Sequence, residues 1–140
     1  MYRKLPGLLM LPLLLSSVLT LSSKATASPP PNLCPGRIGG GEGLEIYAPR
    51  LKFYAETKDR YINICNDRVG ESYYVSKLKS GGNTVVIPVW KVDYGWVSKN
   101  SRHYSYELSA FSNTPKLLIS KEGKLIVNQS LLSNAASYPN

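Results

Sequence analysis

Histidine, cysteine and closely spaced acids are the side chains from which a small protein most readily builds chemistry. In this 140-residue chain each is scarce or scattered. His103 is the sole histidine. Hydrolytic catalysis needs a nucleophile, a base and a group that orients the base. The neighbours Arg102 and Tyr104 do not suggest a base, and no Gly-x-Ser-x-Gly elbow exists. His103 therefore reads as a surface residue on a strand's solvent face. The nine acids are spread over turns and solvent faces, so no carboxylate pair stands out for acid–base work. Two cysteines and one histidine match neither the spacing nor the ligand count of a metal centre. Gly39-Gly40-Gly41 with Gly43 lacks the Gly-Lys-Ser/Thr ending of a phosphate loop, and no helix follows it. The expectation is a chain without catalytic residues, metal, nucleotide or other cofactor.

Aromatic and basic side chains say more. Ten tyrosines, of which Tyr2 lies in the leader described below, and two tryptophans stand against two phenylalanines. Such a ratio serves either a core with a polar rim or a stacking surface for sugars or a protein partner. Trp90 falls out of register with Val85, Ile87 and Val89, and in the same reading Tyr74 lies opposite Tyr73 and Val75. Tyr94 and Trp96 flank Gly95, where the chain can bend sharply. Tyr74, Trp90, Tyr94 and Trp96, with Lys77, Lys91 and Lys99 and the nearby Lys79 and Arg102, are the candidates for one aromatic and basic binding face. In that face flat rings would take sugars and lysines would attract carboxylates or phosphates. The alternative is a strand pair buried on both faces. Asn128-Gln129-Ser130 also fits the N-glycosylation acceptor pattern, which matters only in a eukaryotic source.

The N-terminus places these residues in a compartment. Arg3 and Lys4 precede an uncharged, leucine-rich run over residues 8–21. Ser22-Ser23-Lys24 then turns polar, and Ala25-Thr26-Ala27 gives the small-x-small pattern of a signal-peptidase site. The apolar run is about 14 residues, against the roughly 20 of a membrane-spanning helix. Cleavage after Ala27 would leave a secreted or periplasmic chain with no membrane span. Its 113 residues would form one domain. Of 17 basic and 9 acidic residues, Arg3, Lys4 and Lys24 would leave with the leader. The balance that remains is 14 against 9, a charge of +5 that favours an anionic partner without the dense basic run of a nucleic-acid arm. In an oxidising compartment Cys34 and Cys65 are expected to form a disulfide. Because Cys65 lies on the face opposite Ile62 and Ile64, that bond would pin an arm across the outside of the sheet.

Elements that could position these residues follow from period-two patterning. Residues 28–43 read as a Pro/Gly-rich arm, with Pro29-Pro30-Pro31 extended. Alternation then runs through Leu51, Phe53 and Ala55, through Ile62 and Ile64, and through Val85, Ile87 and Val89. It continues in Tyr104, Tyr106 and Leu108, which puts one face of each strand into a core. Lys58-Asp59, Asn66 to Gly70, Ser80-Gly81-Gly82 and Glu122-Gly123 carry turn chemistry between them. The pattern predicts an all-β domain over residues 44–128: an antiparallel meander of about eight strands, forming a sandwich or a partly open barrel. Residues 129–140 read as a mobile tail.

The stretches YAETKDRYINIC (residues 54–65), SYYV (72–75) and GWVSKN (95–100) resemble small exported proteins of cyanobacteria that have no assigned function. That resemblance implies a periplasmic or extracellular home and no activity. A fainter similarity is to periplasmic lysozyme inhibitors, small β-barrels with one disulfide and a Ser-Gly loop followed by tyrosine. Ser80-Gly81-Gly82 lacks that tyrosine, and both cysteines precede it. The expected function is that of a non-enzymatic exported β domain binding an anionic cell-envelope polysaccharide. Inhibition of a lysozyme or other secreted hydrolase is the second reading and a small enzyme the third. Nucleic acid is not an expected partner.

Overall fold

The computed structural model describes residues 31–36, 49–99 and 102–139. The leader (1–27), the first residues of the arm and its glycine run lie outside the described residues. Alternating β-branched and aromatic residues, broken by tight turns, fold the described residues into nine antiparallel strands. These are β1 (Arg50–Glu56), β2 (Arg60–Asn66), β3 (Ser72–Leu78), β4 (Val85–Val92), β5 (Gly95–Ser98), β6 (Tyr104–Ser109), β7 (Lys116–Lys121), β8 (Lys124–Ser130) and β9 (Ala136–Ser137). All nine join one sheet in the order β8-β7-β6-β5-β4-β3-β2-β1-β9. The first eight form an up-and-down meander, and β9 returns to the free edge of β1. Among the described residues there is no helix, and so none long and apolar enough to cross a membrane.

The sheet curls into a half-barrel around one core. Its inner face buries Phe53, Ala55, Ile62, Ile64, Tyr74, Val89, Trp96, Leu108, Leu117 and Ile119. Each large apolar side chain removed from water in this way contributes roughly 1.5–3 kcal/mol. Aromatic rings hold the middle of that core: Phe53 lies 5.1 Å from Trp96, and Tyr74 lies 5.2 Å from Tyr106. The expected inward set is met at Val89 and Leu108, while Tyr106 is half-buried and Tyr104 is exposed at the rim. Leu51 departs from its expected face. The register shifts between Leu51, which pairs with Cys65, and Phe53, which pairs with Ile64. Lys52 is the extra residue of that bulge, and its strand bends there.

Two turns and one glycine show why the strands meet as they do. Glu122 and Gly123 both have positive φ, 50° and 79°, the backbone of a two-residue hairpin turn whose twist matches the flanking strands. Asp67 Oδ1 accepts the N–H groups of Val69 and Glu71 and so closes the β2–β3 turn. Gly95 opens β5 with φ 153°, and a Cβ there would stand 1.8 Å from the Leu108 carbonyl oxygen. Only glycine lets β5 come this close to β6.

The outer face of β1–β3 is buried as well. Tyr54, Asn63, Cys65 and Val75 are all enclosed. Residues 31–36 of the arm are tied to this face. Cys34 forms the expected disulfide with Cys65, at a Cα–Cα distance of 5.7 Å, and the Leu33 N–H donates to Asn63 Oδ1. The C-terminal segment departs from the expected mobile tail. β8 runs on to Ser130, and residues 131–139 form a strap that crosses back to β1. The strap is held because its N–H groups find carbonyl partners: Leu131 to Pro115, Leu132 to Glu56 and Tyr138 to Lys52. Gln129 adds a side-chain bond to Asp59 at 2.9 Å.

Candidate functional site

The residues singled out from the sequence do not share one face. Tyr74 pairs with Ile64 across β2–β3, which turns its ring inward, and it is only 1% exposed. Expecting it outside failed because β3 is buried on both faces at Tyr74, Val75 and Ser76, so polarity there does not alternate. Burial pushes the Tyr74 hydroxyl up to about 12. That hydroxyl lies beside Ser76 but has no hydrogen-bond partner among the described residues. Trp90 does point outward and is 58% exposed. Lys99 caps one side of its ring at 3.9 Å and is itself ion-paired with Glu71. Lys77, on the adjacent strand β3, is half-buried on its outer face. Lys79 is engaged by Glu56 at 3.3 Å, and Arg102 is exposed beyond β5. Tyr94 sits in the β4–β5 turn, where its carbonyl accepts the Phe111 N–H.

Two of the candidates do come together. Lys91 and Trp96 are paired across β4–β5 on the inner face, at the end of the half-barrel where β4 turns into β5. They line a cleft of about 310 Å³. Residues not expected from the sequence complete it, three of them with large side chains. Lys52 reaches it from the β1 bulge, Phe111 from the turn after β6, and Tyr138 from the strap. Phe111 is 50% exposed, yet its ring is fixed 5.3 Å from Trp96 and 5.8 Å from Phe53. The Tyr138 N–H bond to the Lys52 carbonyl, 2.8 Å, holds the strap wall against β1. Ser72 and Asn66 form the floor between β2 and β3, with Ser72 Oγ donating to Asn66 Oδ1 at 3.0 Å.

Electrostatically the cleft is one-sided. Among the described residues no acid lines it. Among the described residues neither Lys52 nor Lys91 is in an ion pair, whereas Lys79 and Lys99 both are. Two cations outside any ion pair among the described residues, beside aromatic walls at the mouth of a curled sheet, favour an anionic ligand with an apolar face. His103 stands at the other end of the sheet, in the turn before β6. It is exposed there and 3.8 Å from Glu122. Among the described residues no group of three or more His, Cys, Asp or Glu is placed to hold a metal.

Sequence alone carried weak signals for the added residues. A bulge at Lys52 interrupts the alternation without any marker residue such as glycine. Phe111 is an apolar residue inside the turn-rich Ser109-Ala110-Phe111-Ser112-Asn113, and its isolation was the one visible hint. Tyr138 lies in a stretch whose Ser/Asn/Ala composition reads as tail. Comparison with protein-family models, with curated proteins and with solved structures finds no match to this chain.

Proposed function

We propose that this chain is a non-enzymatic, exported β domain that binds acidic carbohydrate of the cell envelope, and that the cleft between β1, β4 and the strap is its binding site. The observation that carries the reading is the pair Lys52 and Lys91, set beside Phe111 and Trp96 in a cleft where, among the described residues, neither is ion-paired and no acid lines the wall. Supporting it are the export-like N-terminus, the disulfide and the basic balance of the chain.

Pull-down on isolated cell wall and on acidic polysaccharide tests the proposal. Wild type should bind at low salt and release as salt rises, because attraction between exposed charges is screened over about 8 Å at physiological ionic strength. Lys52→Glu and Lys91→Glu should each weaken binding about 2–5-fold or more. Lys77→Glu, on the outer face, should leave it unchanged. Equal retention of all four proteins would remove the cleft from the function.

A further inference from the structure

We propose that the cleft takes a single acidic sugar ring, a hexuronate whose carboxylate lies between Lys52 and Lys91 and whose apolar face rests on Phe111. This rests on the carbohydrate reading above and narrows it. Size is the first reason. At about 310 Å³, the cleft is at the bottom of the roughly 300–1,000 Å³ range of small-molecule sites. That is room for one ring and its substituents rather than a run of several. The strap bounds it on one side through Ser137, Tyr138 and Pro139.

Chemistry supplies the second reason. A half-exposed phenylalanine in a turn leaves apolar surface in water, but here the ring is propped by Trp96 and Phe53 and presents a rigid stacking platform. Lys91 stands next to Trp96 across the β4–β5 pair, and Lys52 lines the same cleft from β1. A carboxylate on a stacked ring can therefore meet both ammonium groups. Asn66 Oδ1 already accepts from Ser72, which leaves the donor end of that amide for ring hydroxyls. A neutral sugar would use the platform and the amide but leave both lysines without a counter-charge.

Competition against immobilised polygalacturonate tests this with defined probes. Galacturonate should displace the protein. Galactose, the same ring with a hydroxymethyl group in place of the carboxylate, should compete at least about tenfold more weakly. A galacturonate trimer should improve on the monomer by less than about tenfold. Phe111→Ala should weaken galacturonate competition about 2–10-fold, with Phe111→Leu as a second variant should alanine at this position impair folding. Equal competition by galactose overturns the proposal, because the lysines then read no charge. Competition by long oligomers alone overturns it too, because the site is then an extended groove. Failure of the protein to bind any acidic polysaccharide would instead remove the carbohydrate reading beneath it.

Discussion

Tyr74 is the residue whose chemistry differs most from its surroundings. Its ring is fully packed, yet its hydroxyl is buried without a partner among the described residues, and a desolvated, unpaired hydroxyl costs free energy that folding elsewhere must offset. Tyr74→Phe keeps the ring against Tyr106 and removes the hydroxyl. Stability to denaturant should stay level or rise by up to about 2 kcal/mol, and a loss above about 1 kcal/mol would show that the hydroxyl has a partner after all. The same residue sets an alkaline limit. Its ordinary value of 10.0 is raised to about 12 in the folded chain. Below pH 10 both states keep the proton and stability does not respond. Between pH 10 and 12 the unfolded chain loses its proton first, so stability falls. Unfolding midpoints measured across that window should fall less steeply for Tyr74→Phe than for wild type.

Among the elements, the strap is the one that assembles the cleft, and Glu56 is its clasp. The Glu56 carbonyl accepts the Leu132 N–H, and its carboxylate takes Asn134 Nδ2 from the strap and Lys79 from the turn after β3. Burial alone would raise the Glu56 carboxyl, but hydrogen bonds from Asn134, Lys79 and Tyr54 bring it below the usual carboxylate range. A depressed folded value means that its contribution is present above the ordinary carboxylate pKa and is lost as pH falls through the lower, folded one. Glu56→Ala should cost about 1–3 kcal/mol and flatten that acid dependence, both read from denaturation curves at neutral and acid pH. A variant as stable as wild type and equally acid-sensitive would contradict the clasp. How much of this could be read beforehand follows from the same elements. Val85, Ile87 and Val89 alternate cleanly because only one side of β4 meets the core, so class and turns were legible, while β9, inside the stretch read as tail, was not. β3 is buried on both faces and β1 carries a bulge, and alternation fails at both places. Lys52 and Tyr138 therefore gave no sign of lining the cleft, whereas Lys91 and Trp96, cross-strand partners at a hairpin, were singled out and do line it.

At the scale of the whole molecule, the half-barrel is closed from outside by a covalent tie and at its mouth by the strap. Cys34 and Cys65 are separated by 31 residues, and closing such a loop stabilises a fold by roughly 3–4 kcal/mol in the chain-entropy picture. Replacing both cysteines by serine should lower stability by about that amount. The cleft, on the inner face at the other side of the sheet, should still bind acidic ligand under conditions where the variant remains folded. Loss of binding by a folded variant would place the arm in the site. The central claim, that the cleft is where ligand binds, has a direct reporter because the two tryptophans divide between the two faces. Trp96 lines the cleft, and Trp90 lies on the outer face under Lys99. The decisive measurement is the pair of indole N–H signals in a ¹H–¹⁵N NMR titration with galacturonate. The Trp96 indole should shift progressively to saturation, with the backbone amides of Lys52, Lys91 and Phe111, while the Trp90 indole stays in place. A titration that moves Trp90 and leaves Trp96 unmoved would contradict it.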